Sequence, residues 1–179
     1  MEGAEIRLGS LHKETPTFTQ SAADAKFFWG SGFTDITELY SNSSFKNVEL
    51  IKTPCRHGTR VPCGAACGVI FRAPGEKTLY LAGDTIWYDA VKDTIDKFKP
   101  EIIILYACGA ALKFFGRLIM DQQDALKVHE AAPDAKLVIS HMESVAHATV
   151  TRAEMSDFAQ KHSFINSIVI PADGETLTY

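Results

Sequence analysis

Two histidines and an aspartate stand out because each directly follows a stretch that reads as a β-strand: His57 after 47–55, Asp84 after 78–82, and His141 after 136–140. Imidazole nitrogen and carboxylate oxygen are donors that zinc, manganese and iron accept, and water bound to such an ion can lose its proton near neutral pH. Open α/β sheets bind ligands outside the C-terminal ends of their strands, where loops converge on groups the sheet holds rigid. Gly58 beside His57 and Gly83 beside Asp84 suit a crowded site, since glycine lets backbone approach closely. Singly, each residue has a plainer reading: a hydrogen-bonded histidine, or an aspartate capping a turn or helix. Their shared placement is what points to metal-assisted hydrolysis.

The elements that must position these residues alternate between strand and helix. PTFT at 16–19 is β-prone, and Ser21 with Asp24 three residues on opens a helix running to about Trp29, with Ala25, Phe28 and Trp29 on one face. Residues 34–39 and 47–53 read as strands, and the polar Ser41–Ser44 stretch between them as a loop. Pro74–Lys77 joins two further strands, 68–72 and 78–82, into a hairpin. Val91, Ile95 and Phe98 then mark an amphipathic helix closed by Pro100. The unalternating Ile-Ile-Ile-Leu run at 102–105 suits a strand covered on both faces. Helices at 122–131 and 152–162 precede strands at 136–140 and 167–170, and Thr151 with Glu154 makes a capping box for the second helix. One α/β domain spanning residues 1–179 is the expected organisation.

With that framework the local sequences become specific. Tyr80-Leu-Ala-Gly-Asp-Thr-Ile-Trp-Tyr88 resembles the aspartate motif of metallo-β-lactamase-fold hydrolases, in particular the branch that includes sugar-lactone hydrolases. Cys55-Arg-His-Gly-Thr59 resembles that branch's third histidine motif, and Ser140-His-Met-Glu-Ser-Val-Ala-His147 its final one. The closing 169–175 segment is similar to the family's last strand and turn, so the likeness runs from about Pro16 to the end. The resemblance implies a C-terminal part of the αβ/βα sandwich with helices packed on the sheets. It implies His57 on one metal, His141 on a second, and Asp84 bridging both. Asp84 and His141 would then be the catalytic pair, attacking an ester, lactone or phosphoester bond of a small molecule with metal-bound hydroxide.

The family's H-x-H-x-D-H signature has no counterpart in this sequence, and His12 stands alone. Each metal would keep one histidine plus the shared aspartate, where a catalytic zinc usually has three protein ligands. Zinc, manganese or iron is therefore expected at less than full occupancy. The alternative reading is a non-catalytic, truncated fragment or assembly module with a degraded metal site. Strands missing alongside the signature would leave apolar surface open, which calls for a homodimer or a complementing chain as partner.

The remaining candidates have plainer explanations. His147 is placed to touch substrate, although a loop histidine is commonly just solvated, and Tyr88 would line the pocket or cover the start of the following helix. His129 and His162 lie within helices and read as surface or packing residues rather than ligands, while Asp173-Gly174 reads as a tight turn. The four cysteines form no C-x-x-C pair, so reduced thiols are expected; Cys63 and Cys67 lack a second ligand pair for a zinc knot. A net charge of −4 with scattered Lys and Arg argues against nucleic acid. No apolar run is long enough to cross a bilayer and no secretory signal opens the chain, so a cytoplasmic protein is expected.

Overall fold

Alternation of apolar runs and amphipathic segments resolves, in the computed structural model, into a seven-stranded mixed sheet with helices layered on one face, flanked by two separate two-stranded sheets. The structure describes residues 11–60 and 64–179; Cys63, and with it the Cys63–Cys67 spacing, lies outside the described residues. In chain order the elements are β1 (Thr17–Thr19), α1 (Ala22–Gly30), β2 (Ile36–Glu38), β3 (Ser43–Phe45), β4 (Val48–Pro54), β5 (Cys67–Arg72), β6 (Leu79–Leu81) and α2 (Asp89–Phe98). There follow β7 (Ile102–Tyr106), β8 (Ala111–Leu112), β9 (Gly116–Arg117), α3 (Gln122–Ala131), β10 (Lys136–Ser140), α4 (Arg152–Lys161) and β11 (Ile168–Val169).

The main sheet has the order β11-β10-β7-β6-β5-β4-β3. Strands β6, β7, β10 and β11 are parallel, whereas β5 is antiparallel to both β4 and β6, so β4 points the same way as the parallel set. Each crossover from β6 through α2, α3 and α4 steps to the adjacent strand in one direction, which puts all three helices on one face by the right-handed rule. Consistent with that, α3 packs against both α2 and α4. The core lies between this layer and the sheet. Ile70, Tyr80, Ile103, Leu105, Leu137 and Ile139 come from the strands, and Val91, Ile95, Val128, Met155 and Ala159 from the helices.

Local signals behave as their chemistry demands. Ser21 Oγ accepts from the Asp24 amide at the start of α1. The α4 capping box is complete, with Thr151 Oγ1 accepting from the Glu154 amide and Glu154 Oε2 from the Thr151 amide. Helix α2 ends where Lys99 turns left-handed at φ 46°, ahead of Pro100.

Three expectations need correction. The Ser41–Ser44 stretch is not all loop, because β3 begins at Ser43 and pairs antiparallel with β4. In α1 only Ala25 is buried, and Trp29 is exposed, so the supposed apolar face does not enter the core. The Ile-Ile-Ile-Leu strand has helices on one face only. Ile103 and Leu105 are fully buried beneath them, whereas Ile102 and Ile104 point the other way, Ile102 buried and Ile104 half-buried in register with Leu81 and the buried Val138. His129 and His162 do pack as expected, stacking on Phe164 and Phe158 respectively.

Gly68 shows how tightly β5 is seated between its neighbours. A Cβ at this position would lie 2.6 Å from Thr53 Oγ1 and 2.8 Å from the Leu81 carbonyl oxygen. The carbonyl is fixed in the sheet and cannot give way. Gly68→Ala should therefore cost about 1–3 kcal/mol through overpacking, read as a lower denaturant midpoint in urea unfolding.

Candidate metal centre at the sheet rim

Because β4, β6, β7 and β10 share a direction, their C-terminal ends open onto one rim. His57, Asp84 and His141 all lie on loops leaving that rim, and all three are partly exposed. The first two loops are laced together by backbone. The Arg56 amide donates to Thr85 Oγ1 at 3.0 Å, the Ile86 amide to the Arg56 carbonyl at 2.9 Å, and Cys55 Sγ to the Asp84 carbonyl at 3.1 Å. Thr85 is fully buried and its hydroxyl in turn donates to the Ile86 carbonyl. Asp84 is thus fixed in place by the residues that lead to His57.

Tyr106 and Cys108, at the end of β7, connect Asp84 to His141. The Tyr106 and His141 ring centroids are 5.2 Å apart, and Cys108 Sγ lies 3.7 Å from His141 Nδ1. Burial raises the Tyr106 hydroxyl and the Cys108 thiol above their ordinary pKa ranges, and the nearby Asp84 carboxylate pushes both further up. Backbone hydrogen bonds offset part of the Cys108 shift.

His141 itself occupies a left-handed turn at φ 63°. Its Nδ1 is 2.8 Å from Ser144 Oγ, and that hydroxyl donates to the His141 carbonyl at 3.1 Å. When the Ser144 hydroxyl gives its proton to that carbonyl, Oγ can accept from Nδ1–H, and the ring lone pair is then on Nε2. A lone pair on Nε2 suits a metal ligand or a proton acceptor whose other ring nitrogen is held by a hydrogen bond. Ser144 was not singled out from the sequence, although its position three residues after a strand-end histidine is the spacing that lets a side chain fold back on a turn.

A cleft of about 470 Å³ opens beside His141, lined among others by Tyr106, Ser144, Arg152, Pro171 and Asp173. Neither His57 nor Asp84 lines it. Arg152 pairs with Glu143 and Asp173 and donates to the Pro171 carbonyl, joining the start of α4 to the Asp173-Gly174 turn. Gly174 has φ 80°, as a tight turn there demands. His147 is exposed, and its carbonyl accepts from the Ala111 amide. Tyr88 lies partly buried against the core at the start of α2, with Cys55 and Arg56 close enough to influence its hydroxyl.

A catalytic zinc needs about three protein donors. Among the described residues no three His, Cys, Asp or Glu side chains are grouped so as to hold a metal ion. The rim gathers the loops without assembling a complete donor set, so the residues present do not on their own fit a resident metal, and no reaction step is assigned to one.

Comparison with known proteins accounts for this architecture. The chain is 40% identical over 179 residues to the UPF0173 protein YddR of Bacillus subtilis, matching 98% of this chain and 70% of that one. The chain belongs to the UPF0173 family. No family model matches it. Among solved structures, an isothiocyanate hydrolase from Delia radicum gut bacteria superposes with a TM-score of 0.92 at 34% identity, covering 98% of this chain and 72% of the other. A possible metal-dependent hydrolase from Veillonella parvula gives a TM-score of 0.92 at 32% identity, over 96% and 70% of the two chains. The metallo-β-lactamase fold protein YhfI of B. subtilis, at 12% identity, has a TM-score of 0.59 over 90% and 62%. This UPF0173 chain therefore has the α/β architecture of the metallo-β-lactamase fold. No helix among the described residues is long and apolar enough to cross a membrane.

Two measurements test the rim. In Ser144→Ala the His141 imidazole should lose its single tautomer, so that its ring ¹⁵N shifts in long-range ¹H–¹⁵N spectra move towards each other; unchanged shifts would show that Ser144 does not set the tautomer. The second concerns Cys55, whose thiol burial lifts to about 11, with Thr85 opposing and the Asp84 and Cys67 charges adding to the rise. A raised thiol stays protonated until the pH approaches its folded-state value, so at pH 8 iodoacetamide should label Cys55 far more slowly than free cysteine, and the rate should climb towards pH 11. Labelling at the free-cysteine rate at pH 8 would contradict the burial argument.

Proposed function

We propose that this UPF0173 chain acts as, or forms part of, a metal-dependent hydrolase of small molecules with an electrophilic carbon or phosphorus: an ester, a lactone, a phosphoester or an isothiocyanate. The observation that carries this reading is the placement of His57, Asp84 and His141 at the ends of co-directional strands on one rim, in a chain 34% identical to a structure named as an isothiocyanate hydrolase. The metal belongs to the reading because the Veillonella structure is named as a possible metal-dependent hydrolase. Zinc, manganese and iron all suit the histidine and carboxylate donors, and further donors must complete their coordination.

The chain's own residues have defined tasks in this reading. His141, held with Nε2 free, and the Asp84 carboxylate are the groups able to accept a proton from an attacking water. The cleft beside His141 gives a small molecule access to that imidazole. His57, on the loop laced to that of Asp84, is the third donor in this reading, and His147 and Tyr88 are its substrate-contacting residues.

The decisive test is hydrolysis by the purified chain of an isothiocyanate, a lactone and a phosphodiester, before and after supply of zinc, manganese or iron. Asp84→Ala should lower kcat/KM at least a hundredfold for the substrate that is turned over and reduce the metal retained after desalting, with the thermal midpoint nearly unchanged. Full retention of activity and metal in this variant would remove the proposal.

A further inference from the structure

The wall of the His141 cleft that α4 and the segment beyond β11 form carries one cation and a surplus of carboxylates. Among the described residues lining the cleft, Arg152 is the only lysine or arginine. An arginine in a cleft usually marks a receptor for a carboxylate or phosphate, because its guanidinium offers a planar fork of N–H donors to paired oxygens. Here every nitrogen of that fork is engaged within the chain. Nε donates to the Pro171 carbonyl at 3.3 Å, Nη1 to Glu143 Oε2 at 2.6 Å and Nη2 to Asp173 Oδ1. The second Glu143 oxygen accepts from the Arg152 amide at 3.1 Å, so both oxygens of that carboxylate are held by one residue.

One guanidinium thus faces two carboxylates, and Glu175 adds a third on the same wall, where it accepts from the Ala172 amide at 2.7 Å. The Asp173 side chain is 94% and that of Glu143 44% exposed, so these pairs add little to folding stability. Their effect on a ligand is different in kind. An incoming anion would have to displace Glu143 or Asp173 from Arg152, leaving that carboxylate unpaired beside it, and would still meet Glu175. Ile139, Met142, Val145 and Pro171, which also line the cleft, are apolar and cannot replace the lost pairing.

We propose that this wall bars anions from the cleft, so that the molecule presented to His141 carries no negative charge: an uncharged ester, lactone or isothiocyanate, and not a phosphomonoester, a phosphodiester or a carboxylate-bearing ester. The inference rests on the hydrolase reading and narrows its substrate class. Glu143 and Asp173 are the specificity determinants, and Arg152 is the cation they withhold from the ligand.

Butyramide and butyrate, alike in size and different in charge, test the wall without any reaction. Each is titrated into the native chain without added metal and followed by the amide chemical shifts of residues 139–145 and 172–175. Butyramide should move these amides, and butyrate should bind at least fivefold more weakly. In E143Q/D173N the new amide carbonyls still accept from Arg152 but no longer answer its charge, so butyrate should tighten at least fivefold while butyramide binds as before. E76Q/E130Q removes the same charge from exposed positions that do not line the cleft and should change neither. The proposal is overturned if butyramide leaves those amides unmoved, if the native chain binds both probes equally, or if butyrate gains nothing in E143Q/D173N or gains as much in E76Q/E130Q. A second arm, with metal supplied, compares kcat/KM for dimethyl succinate and its anionic monomethyl ester. The native chain should prefer the diester at least tenfold and E143Q/D173N should lose most of that preference; equal turnover of the two by the native chain would also overturn the proposal. If neither ester is hydrolysed, the hydrolase reading loses esters while the titration still decides the selection by charge.

Discussion

Antiparallel β5 stands between β4 and β6, and this single reversal lets β4 share the direction of the parallel set, so that β4, β6, β7 and β10 all end on one rim. A chain that entered β6 directly from β4 would have delivered His57 and Asp84 to opposite edges of the sheet, out of reach of each other. The reversal has its own demand. Strand β5 must start close under the loops that leave β4 and β6, which is why Gly68 faces the Leu81 and Ala82 carbonyls and Gly83, at φ 72°, faces the Cys67 carbonyl. Backbone approaching that closely excludes side chains, and the hydrogen bonds it allows between 55–56 and 84–86 hold Asp84 beside the loop of His57. Placement of His57 and Asp84 on one rim is thus a consequence of strand direction and glycine packing before it is a matter of the side chains themselves.

Much of this was legible in the amino-acid sequence wherever the determining interaction is local. Ser21, the Thr151/Glu154 box, Pro100 and Asp173-Gly174 each act within one turn of chain, and each sits where its chemistry requires. The strand at 136–140 could be read because apolar β-branched residues bounded by a helix and a histidine admit few alternatives. Strands β3, β8 and β9 were not legible. Each is only two or three residues long and owes its conformation to a partner strand, so propensity says nothing about them. The exposure of Trp29 in α1 was hidden for the same reason, since periodicity identifies a face but not whether anything covers it. At the site, residue types and strand-end positions pointed to His57, Asp84 and His141, whereas Ser144, Tyr106, Cys108 and Arg152 emerged only once tertiary contacts placed them around His141 or its cleft.

The turn after β10 shows what placing His141 costs. His141 and Glu143 both have positive φ, 63° and 58°, a region that costs a non-glycine residue on the order of 1 kcal/mol or more. A chain leaving β10 in the ordinary extended conformation would carry the imidazole along the strand direction, away from Tyr106. The left-handed geometry bends the backbone back within the turn, brings Ser144 within reach of both the ring and the carbonyl of His141, and aims Glu143 at α4. There the Glu143 carboxylate accepts from the Arg152 amide at 3.1 Å and from its guanidinium at 2.6 Å, charge-assisted bonds of the kind that offset local strain. Arg152 in turn grips Asp173 and the Pro171 carbonyl, so the turn is clamped between α4 and the segment beyond β11. What the two left-handed residues do is set the His141 imidazole beside Tyr106 and within reach of Ser144 while Glu143 reaches Arg152.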